Sequence, residues 1–157
     1  MQSAFDKAGA YAQLTEEFRG VISGGIPWES AFVSLIALLK ERLPYVSWIG
    51  FYRGAGKDLW VGPYQGKLAC LFIPAGKGVC GKSFRDREVC VVEDVEKFEG
   101  HIACDALSRS EIVLPVTRDG TVIGVLDLDS HQLAAFDPQD TQGIEALLAL
   151  LEAQAFR

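Results

Sequence analysis

The chain lacks the features of membrane-spanning and secreted proteins. None of its apolar runs approaches the ~18 residues that a transmembrane helix needs. Residues 1–10 include Asp6 and Lys7 and contain no apolar stretch of the kind found in a signal peptide. We therefore expect a cytoplasmic protein, in which cysteine thiols stay reduced unless they take part in redox chemistry.

Positive charge is also scarce. The sequence has 15 Lys and Arg against 21 Asp and Glu, which gives a formal net charge of −6. The densest basic group, at Lys82, Arg85 and Arg87, is interrupted by Asp86. Since a surface without a basic cluster attracts phosphate groups only weakly, we expect neither nucleic acid nor a membrane as a partner.

No repeat, low-complexity tract or Pro/Ser-rich linker divides the chain, which predicts one domain over residues 1–157. Helical periodicity occurs near both ends, and β-rich segments lie between. The predicted helices are about 5–21, 28–43, a short 80–85 and one after Pro138; the predicted strands are 45–53, 59–65, 67–74, 88–93, 111–117 and 121–129. Tight turns between strands favour an α+β domain, with the terminal helices packed on one face of a five- or six-stranded, mostly antiparallel sheet.

The four cysteines do not follow a metal-binding pattern. They lie at positions 70, 80, 90 and 104, and no CxxC pair is present. Structural zinc sites mostly use ligand pairs two to four residues apart. His101 and Cys104 have such a spacing, but nothing nearby completes a site. We therefore expect no metal.

The positions of the four cysteines in the sequence indicate different roles for them. Free cysteines are common core residues, and this role suits Cys90, which lies in an apolar run. Cys104 follows Gly100 in the segment 94–109, a predicted loop or short helix, where exposed functional residues are frequent. Cys70 lies within a predicted strand and Cys80 follows a glycine turn, so their positions alone leave their roles open.

Two acidic residues share a face of the last predicted strand. Asp127 and Asp129 are two residues apart, and apolar Ile123 and Val125 precede them on the same face. Such a strand ends either at solvent or at a pocket, and the spacing alone does not decide between the two.

The turn at Asp119-Gly120 decides where Glu111, on the partner strand, lies. A two-residue turn without a bulge places Glu111 opposite Leu128, on the other face from both aspartates. A three-residue turn that includes Arg118 places it opposite Asp127. If the three acids form one site, we therefore predict the three-residue turn.

Three close carboxyl groups would raise one another's pKa values, so that at least one stays protonated. Such a cluster suits an ammonium ligand and can also protonate a leaving oxygen. Trp48 and Tyr52, four residues apart on the first predicted strand, also share a face. They could form an aromatic wall for a thioether or methyl group, although ordinary core packing explains the spacing equally well.

Six segments together resemble the free methionine-(R)-sulfoxide reductases, a family of single GAF domains. The segments are 48–52 (WIGFY), 62–67 (GPYQGK) with 69–70 (AC), 76–81 (GKGVCG), 100–105 (GHIACD), 110–113 (SEIV) and 124–130 (GVLDLDS). They cover essentially the whole chain in the family's order. Three features depart from the family pattern: Cys90 is additional, Tyr64 replaces Phe, and Glu99 replaces Pro before the Cys104 segment.

The resemblance implies the role of each site residue. Cys104 would be the nucleophile, Cys70 the main resolving cysteine and Cys80 an auxiliary thiol. Glu111, which also serves as a catalytic acid, would bind the substrate's amino group and sulfoxide oxygen together with Asp127 and Asp129. Trp48 and Tyr52 would surround the methyl end, and we add Asp105 to the predicted substrate site.

The implied reaction is the reduction of free L-methionine-(R)-sulfoxide through a Cys104 sulfenic acid and an intramolecular disulfide. The resemblance implies no bound cofactor, because thioredoxin serves as the external reductant. Related proteins form dimers, so a homodimer is also to be considered. The rival interpretation is a GAF sensor module that binds a small ligand without turnover; the three cysteines and the lack of an output domain favour the enzyme.

Overall fold

The computed structural model describes residues 4–154, so the predicted domain limits at 1 and 157 lie outside the described residues. Four α-helices and six strands are found in this part of the chain. They are α1 (Lys7–Ile22), α2 (Trp28–Arg42), β1 (Trp48–Ala55), β2 (Asp58–Gln65), β3 (Phe72–Ile73), α3 (Gly78–Asp86), β4 (Cys90–Val92), β5 (Ser110–Arg118), β6 (Thr121–Ser130) and α4 (Pro138–Gln154). A 3-10 turn, Val95–Lys97, follows β4.

The strands form one six-stranded sheet in the order β3-β2-β1-β6-β5-β4. Every neighbouring pair is antiparallel. The predicted α+β class and antiparallel sheet are therefore confirmed, with six strands. Between 4 and 154, no helix is long and apolar enough to cross a membrane.

Helices α1, α2 and α4 lie on one face of the sheet, where α2 and α4 contact the strands and α1 packs mainly against these two helices. Side-chain caps begin two of them: Asp6 accepts a hydrogen bond from the Gly9 amide (3.0 Å), and Asp137 accepts one from the Gln139 amide (2.8 Å). Their apolar faces pack on Ile49 of β1 and on the alternate residues of the central strands in the main hydrophobic core. The prediction that the terminal helices share one face is confirmed.

The opposite face of the sheet carries a second, smaller apolar cluster. It includes Trp48 and Tyr52 of β1, Val113 of β5 and Val125 of β6, and it is covered by α3. Because side chains alternate along a strand, the residues that do not face the helices point to this side. Here the sheet presents polar residues to a pocket.

The predicted strand 67–74 is wrong over most of its length. Only Phe72–Ile73 pair with β2, and Cys70 lies in a loop rather than mid-strand. Two side chains of β1 donate hydrogen bonds to carbonyl groups of this loop. Trp48 Nε1 donates to the Lys67 oxygen and Tyr52 Oη to the Cys70 oxygen, both at 3.0 Å. Residues 66–71, here called the Cys70 loop, are thus held by side chains.

The β5–β6 hairpin also differs from the prediction. Its turn has two residues, Asp119 and Gly120, both at positive φ (54° and 75°). A bulge at Ile123 then shifts the register by one residue, so that Val116 pairs with Gly124. The three-residue turn is therefore wrong, but the bulge has the same effect on which residues share a face.

The bulge also moves Ile123 away from its predicted face. Ile123 packs against the core beneath the helices, whereas Val125 lies in the smaller cluster on the other side. Glu111 pairs with Asp129, whereas the three-residue turn predicts that it pairs with Asp127. The prediction that Glu111 shares a face with both aspartates nevertheless holds.

Candidate active site

A pocket of about 570 Å³, including its open mouth, lies on the sheet face opposite the three large helices. Its walls are the sheet, α3, the Cys70 loop and residues 101–108 of the connection between β4 and β5, here called the Cys104 loop. The pocket brings together nearly every predicted site residue: Trp48, Tyr52, Cys80, Cys104, Asp105, Glu111, Asp127 and Asp129. Cys70 joins this set through its bond to Cys104.

A disulfide connects the two loops. Cys70 and Cys104 are bonded, with their Cα atoms 5.5 Å apart. Cys104 is exposed, as its predicted position between elements indicated, and Cys70 is half-buried. Cys80 and Cys90 are free and buried. The nucleophile and the main resolving cysteine suggested by the resemblance are thus within bonding distance.

The three acids form a buried cluster on the pocket floor. Glu111 is 5% exposed and Asp127 is 6% exposed. Burial, followed by the negative charge of Asp129, raises the pKa of Glu111 to about 8. Burial and then a neighbouring acid raise the pKa values of both aspartates well above their usual range, with Glu111 acting on Asp127 and Asp127 on Asp129. The cluster therefore holds protons at neutral pH.

One oxygen of this cluster has no partner among residues 4–154. Asp127 Oδ1 is buried and makes no hydrogen bond there. An unpaired buried acceptor is costly, so the atom is suited to receive a donor from a bound molecule. An ammonium group, with three N–H donors, matches this requirement.

Cys80 faces the same cluster. Its Sγ lies 4.0 Å from Glu111 Oε1, and ligand atoms of Cys80, Glu111 and Asp127 lie within 4.8 Å of one another. A metal ion could bridge such atoms. However, burial and neighbouring charges raise the pKa values of all three groups, so each would have to lose a proton first.

The predicted aromatic wall is present, since Trp48 and Tyr52 both line the pocket. The Trp48 ring stacks with Tyr52 (centroids 6.0 Å apart) and with Tyr64 (5.5 Å apart). Gly50 leaves room for the indole, because a Cβ there would lie 2.3 Å from Trp48 Cη2. Tyr64, the departure from the family's Phe, packs on the Trp48 ring and is not one of the residues that line the pocket.

His101, which lines the pocket, and His131 each contact an acid of the pocket lining, and neither was predicted as a site residue. His101 Nε2 is 3.3 Å from Glu111 Oε2, and its side chain is 15% exposed. His131 Nε2 is 2.8 Å from Asp105 Oδ2 at the rim, and this hydrogen bond is the main cause of the lowered pKa of Asp105. The sequence contains one indication of a role for His101, its place in the GHIACD segment. There its spacing from Cys104 suggested only a possible pair of zinc ligands.

Comparisons with known proteins agree with this geometry. Residues 12–153 match the GAF domain family. The free methionine-R-sulfoxide reductase of Escherichia coli K12 is 44% identical over 147 residues, covering 94% of this chain and 89% of that protein. The enzyme of the same name from Saccharomyces cerevisiae is 36% identical, with 95% and 87% covered.

A solved structure gives the same result. The free methionine-R-sulfoxide reductase of Neisseria meningitidis, determined in complex with its substrate, superimposes with a TM-score of 0.88 at 41% identity. The match covers 97% of this chain and 92% of that one. The chain therefore belongs to the GAF-domain family of free methionine-R-sulfoxide reductases.

Proposed function

We propose that this chain reduces free methionine-R-sulfoxide to methionine with its own thiols. The observation that carries the proposal is the shared pocket: a buried acid cluster, an aromatic wall and the redox pair Cys70–Cys104 meet there. The relatives from Escherichia coli and Saccharomyces cerevisiae, which share the whole domain, have this activity in their names.

The acid cluster recognises the substrate's amino group. The unpaired Asp127 Oδ1 and the neighbouring Asp129 and Glu111 accept its N–H donors, and binding a cation relieves their mutual repulsion. A methionine sulfoxide inside a peptide has no free ammonium group, so it would leave these buried acceptors unpaired. This supports specificity for the free amino acid.

The aromatic wall receives the other end of the substrate. Trp48 and Tyr52 offer ring faces to the S-methyl group, since contacts between sulfur and aromatic rings are favourable. Asp105 lies at the rim beside Cys104, where its charge can contact polar parts of the substrate. Fixing both ends of the substrate places the sulfoxide sulfur in one orientation, which would select one epimer.

The reaction uses Cys104 as nucleophile and Glu111 as acid. The Cys104 thiolate attacks the sulfoxide sulfur while Glu111 protonates the sulfoxide oxygen. The oxygen then passes to Cys104 as a sulfenic acid, and methionine leaves. Attack by the Cys70 thiol expels water and forms the Cys70–Cys104 disulfide. Cys80, buried with a raised pKa, would remain a thiol until the loops rearrange.

An external dithiol protein, thioredoxin, then reduces the disulfide in the cytoplasm. Exposure of Cys104 supports this step, because exchange needs access to a sulfur. The exposed side chains of Leu68, Leu71 and Leu107 flank the two cysteines and offer an apolar surface for such a partner. No bound cofactor is needed for this cycle, and a second copy of the chain remains a further candidate partner.

The test is NADPH consumption coupled through thioredoxin reductase and thioredoxin, with each epimer of free methionine sulfoxide. We expect turnover of the R epimer by the wild type and none by Cys104→Ser. Cys90→Ser is the matched control and should retain activity, because Cys90 lies outside the pocket lining. If fully reduced wild type turns over neither epimer, a ligand-binding GAF module becomes the better interpretation.

A further inference from the structure

His101, the first residue of the Cys104 loop, contacts the buried acid cluster at Glu111. Its Nε2 atom is 3.3 Å from Glu111 Oε2, and its side chain, at 15% exposure, is still in contact with the pocket. Glu111 itself is 5% exposed. His101 is therefore the neighbour through which this buried carboxyl group can exchange protons with its surroundings.

The other ionisable groups facing Glu111 cannot serve this purpose. Cys80 approaches from α3, and Asp127 and Asp129 approach from β6. All three are acids, and burial raises all three pKa values. Of the groups that contact Glu111 in the described part of the chain, His101 alone is a base.

The reaction creates a need for proton delivery. When Glu111 gives its proton to the sulfoxide oxygen, a carboxylate is left in a buried cluster of acids. In the proposed function the substrate binds over this cluster, where it would hinder direct contact between water and Glu111. The proton lost by Cys104 on ionisation goes to solvent, and one proton must return to Glu111 before the next turnover.

We propose that His101 returns this proton, taking it from solvent and passing it through Nε2 to Glu111. His101 is then a positioning residue that acts through Glu111, and the inference rests on the proposed function. A neutral imidazole suits the task because it accepts a proton at one nitrogen and donates one from the other. Burial lowers the pKa of His101, which keeps the ring neutral near pH 7.

His101 lies on the same loop as the proposed nucleophile, Cys104. His101 and Cys104 are three residues apart on one loop, and Gly78 lies beside this loop, where a Cβ would be 3.2 Å from Ile102. A movement of the loop that brings Cys104 to the substrate would therefore carry His101 with it.

The kinetic test is a pH profile of His101→Gln, which keeps a polar side chain but cannot titrate. Methionine formation is followed with thioredoxin recycling from pH 5.5 to 9.5. We expect kcat to fall by about tenfold to a hundredfold, at or below the lower end of the range for groups that exchange protons with the substrate directly, with little change in KM. In His101→Ala, added imidazole should restore kcat in proportion to its concentration.

His131→Gln is the matched control, because His131 also contacts an acid at the pocket but lies at the exposed rim. We expect it to keep the wild-type shape of the pH profile and to show no response to imidazole. A His101→Gln enzyme with wild-type kcat at every pH would overturn the proposal. A loss that imidazole does not restore, accompanied by a raised KM, would also overturn it, since a purely structural role predicts that result.

A measurement without turnover separates this proposal from the proposed function. In ¹⁵N NMR titrations of the reduced protein, the ring nitrogens of His101 should respond over the pH range in which Glu111 titrates. Glu111→Gln should abolish that response. Identical titrations in both proteins would overturn the relay, whatever the activity. Coupled titrations in a wild type that forms no methionine would count against the reductase function instead.

Discussion

Glu111 combines a functional role with an energetic cost. It is nearly fully buried, lies beside two other acids, and has a pKa raised to about 8. In the unfolded chain the same group titrates near ~4.3. Its ionisation is therefore more costly in the folded protein, so its contribution to stability is fully present below the unfolded pKa and is lost as the pH rises through the folded pKa.

We predict that Glu111→Gln is more stable than the wild type at alkaline pH but inactive. One such group gives the free energy of unfolding a slope of at most about 1.4 kcal/mol per pH unit between its unfolded and folded pKa values. Gln cannot ionise, so this slope is removed, and so is the proton for the sulfoxide oxygen. Urea denaturation of both proteins at pH 5, 7 and 9 measures the difference.

The control for this prediction is Glu96→Gln, a change at an exposed acid that is not part of the pocket lining. It should leave the pH dependence of stability and the activity close to wild type. Equal slopes for Glu111→Gln and the wild type would mean that Glu111 ionises as easily in the folded protein as in the unfolded one.

The β5–β6 hairpin shows how far the sequence determines this site. Alternation along β6 correctly predicts that Asp127 and Asp129 share a face, and the parity of the hairpin correctly requires a one-residue shift to bring Glu111 beside them. The shift occurs at Ile123 and not in the turn, because Asp119-Gly120 already forms a favourable two-residue turn. An apolar Ile123 fits either face, so hydrophobicity could not locate the bulge.

Sequence patterns could not predict contacts between residues that are far apart along the chain. The Cys70 loop looked like a strand because its residues are apolar, yet hydrogen bonds from Trp48 and Tyr52 hold its carbonyl groups. The contact between His101 and Glu111 joins a loop to a strand and leaves no periodic signal. Local patterns therefore predicted the helices and central strands, while side chains from elsewhere decide the loops at the site.

We predict that deletion of Ile123 preserves the site. The residues between the turn and the bulge pair in the register of a regular two-residue hairpin, and the bulge adds one residue to β6. Removing that residue therefore leaves Glu111 opposite Asp129. The loss of Ile123 packing should cost about 1 kcal/mol of stability. Deletion of Val125 is the contrasting variant, because it shifts both aspartates by one position relative to Glu111.

Substrate affinity, measured by calorimetry, distinguishes the two deletions. The Ile123 deletion should bind methionine sulfoxide with an affinity within a few-fold of wild type, and the Val125 deletion should not bind detectably. Loss of binding in the Ile123 deletion, with the fold intact by circular dichroism, would show that the bulge itself shapes the pocket.

The main hydrophobic core and the pocket lie on opposite faces of the sheet. The pocket holds buried acids that do not favour folding, whereas the other face carries the main core of α1, α2 and α4. A buried carboxylate also connects residues within the helical layer. Asp140 of α4 is fully buried, and its Oδ1 atom accepts hydrogen bonds from Tyr11 (2.8 Å) and Tyr45 (2.6 Å). Its Oδ2 atom contacts Lys7 Nζ at 2.5 Å. The two ends of the described chain are thus joined through one carboxylate.

We predict that Asp140→Asn lowers the free energy of unfolding by about 3 kcal/mol, because it leaves the amino group of Lys7 largely buried without its closest counter-charge. Lys7→Met should also destabilise, and the double variant should lose less than the sum of the two, since each single change already breaks the same ion pair. Urea denaturation of the four proteins gives the coupling energy. Well below the unfolding transition, all four should reduce methionine sulfoxide at similar rates, because the sheet separates Asp140 from the pocket. Additive losses would mean that Tyr11 and Tyr45, rather than Lys7, account for the effect of Asp140 on stability.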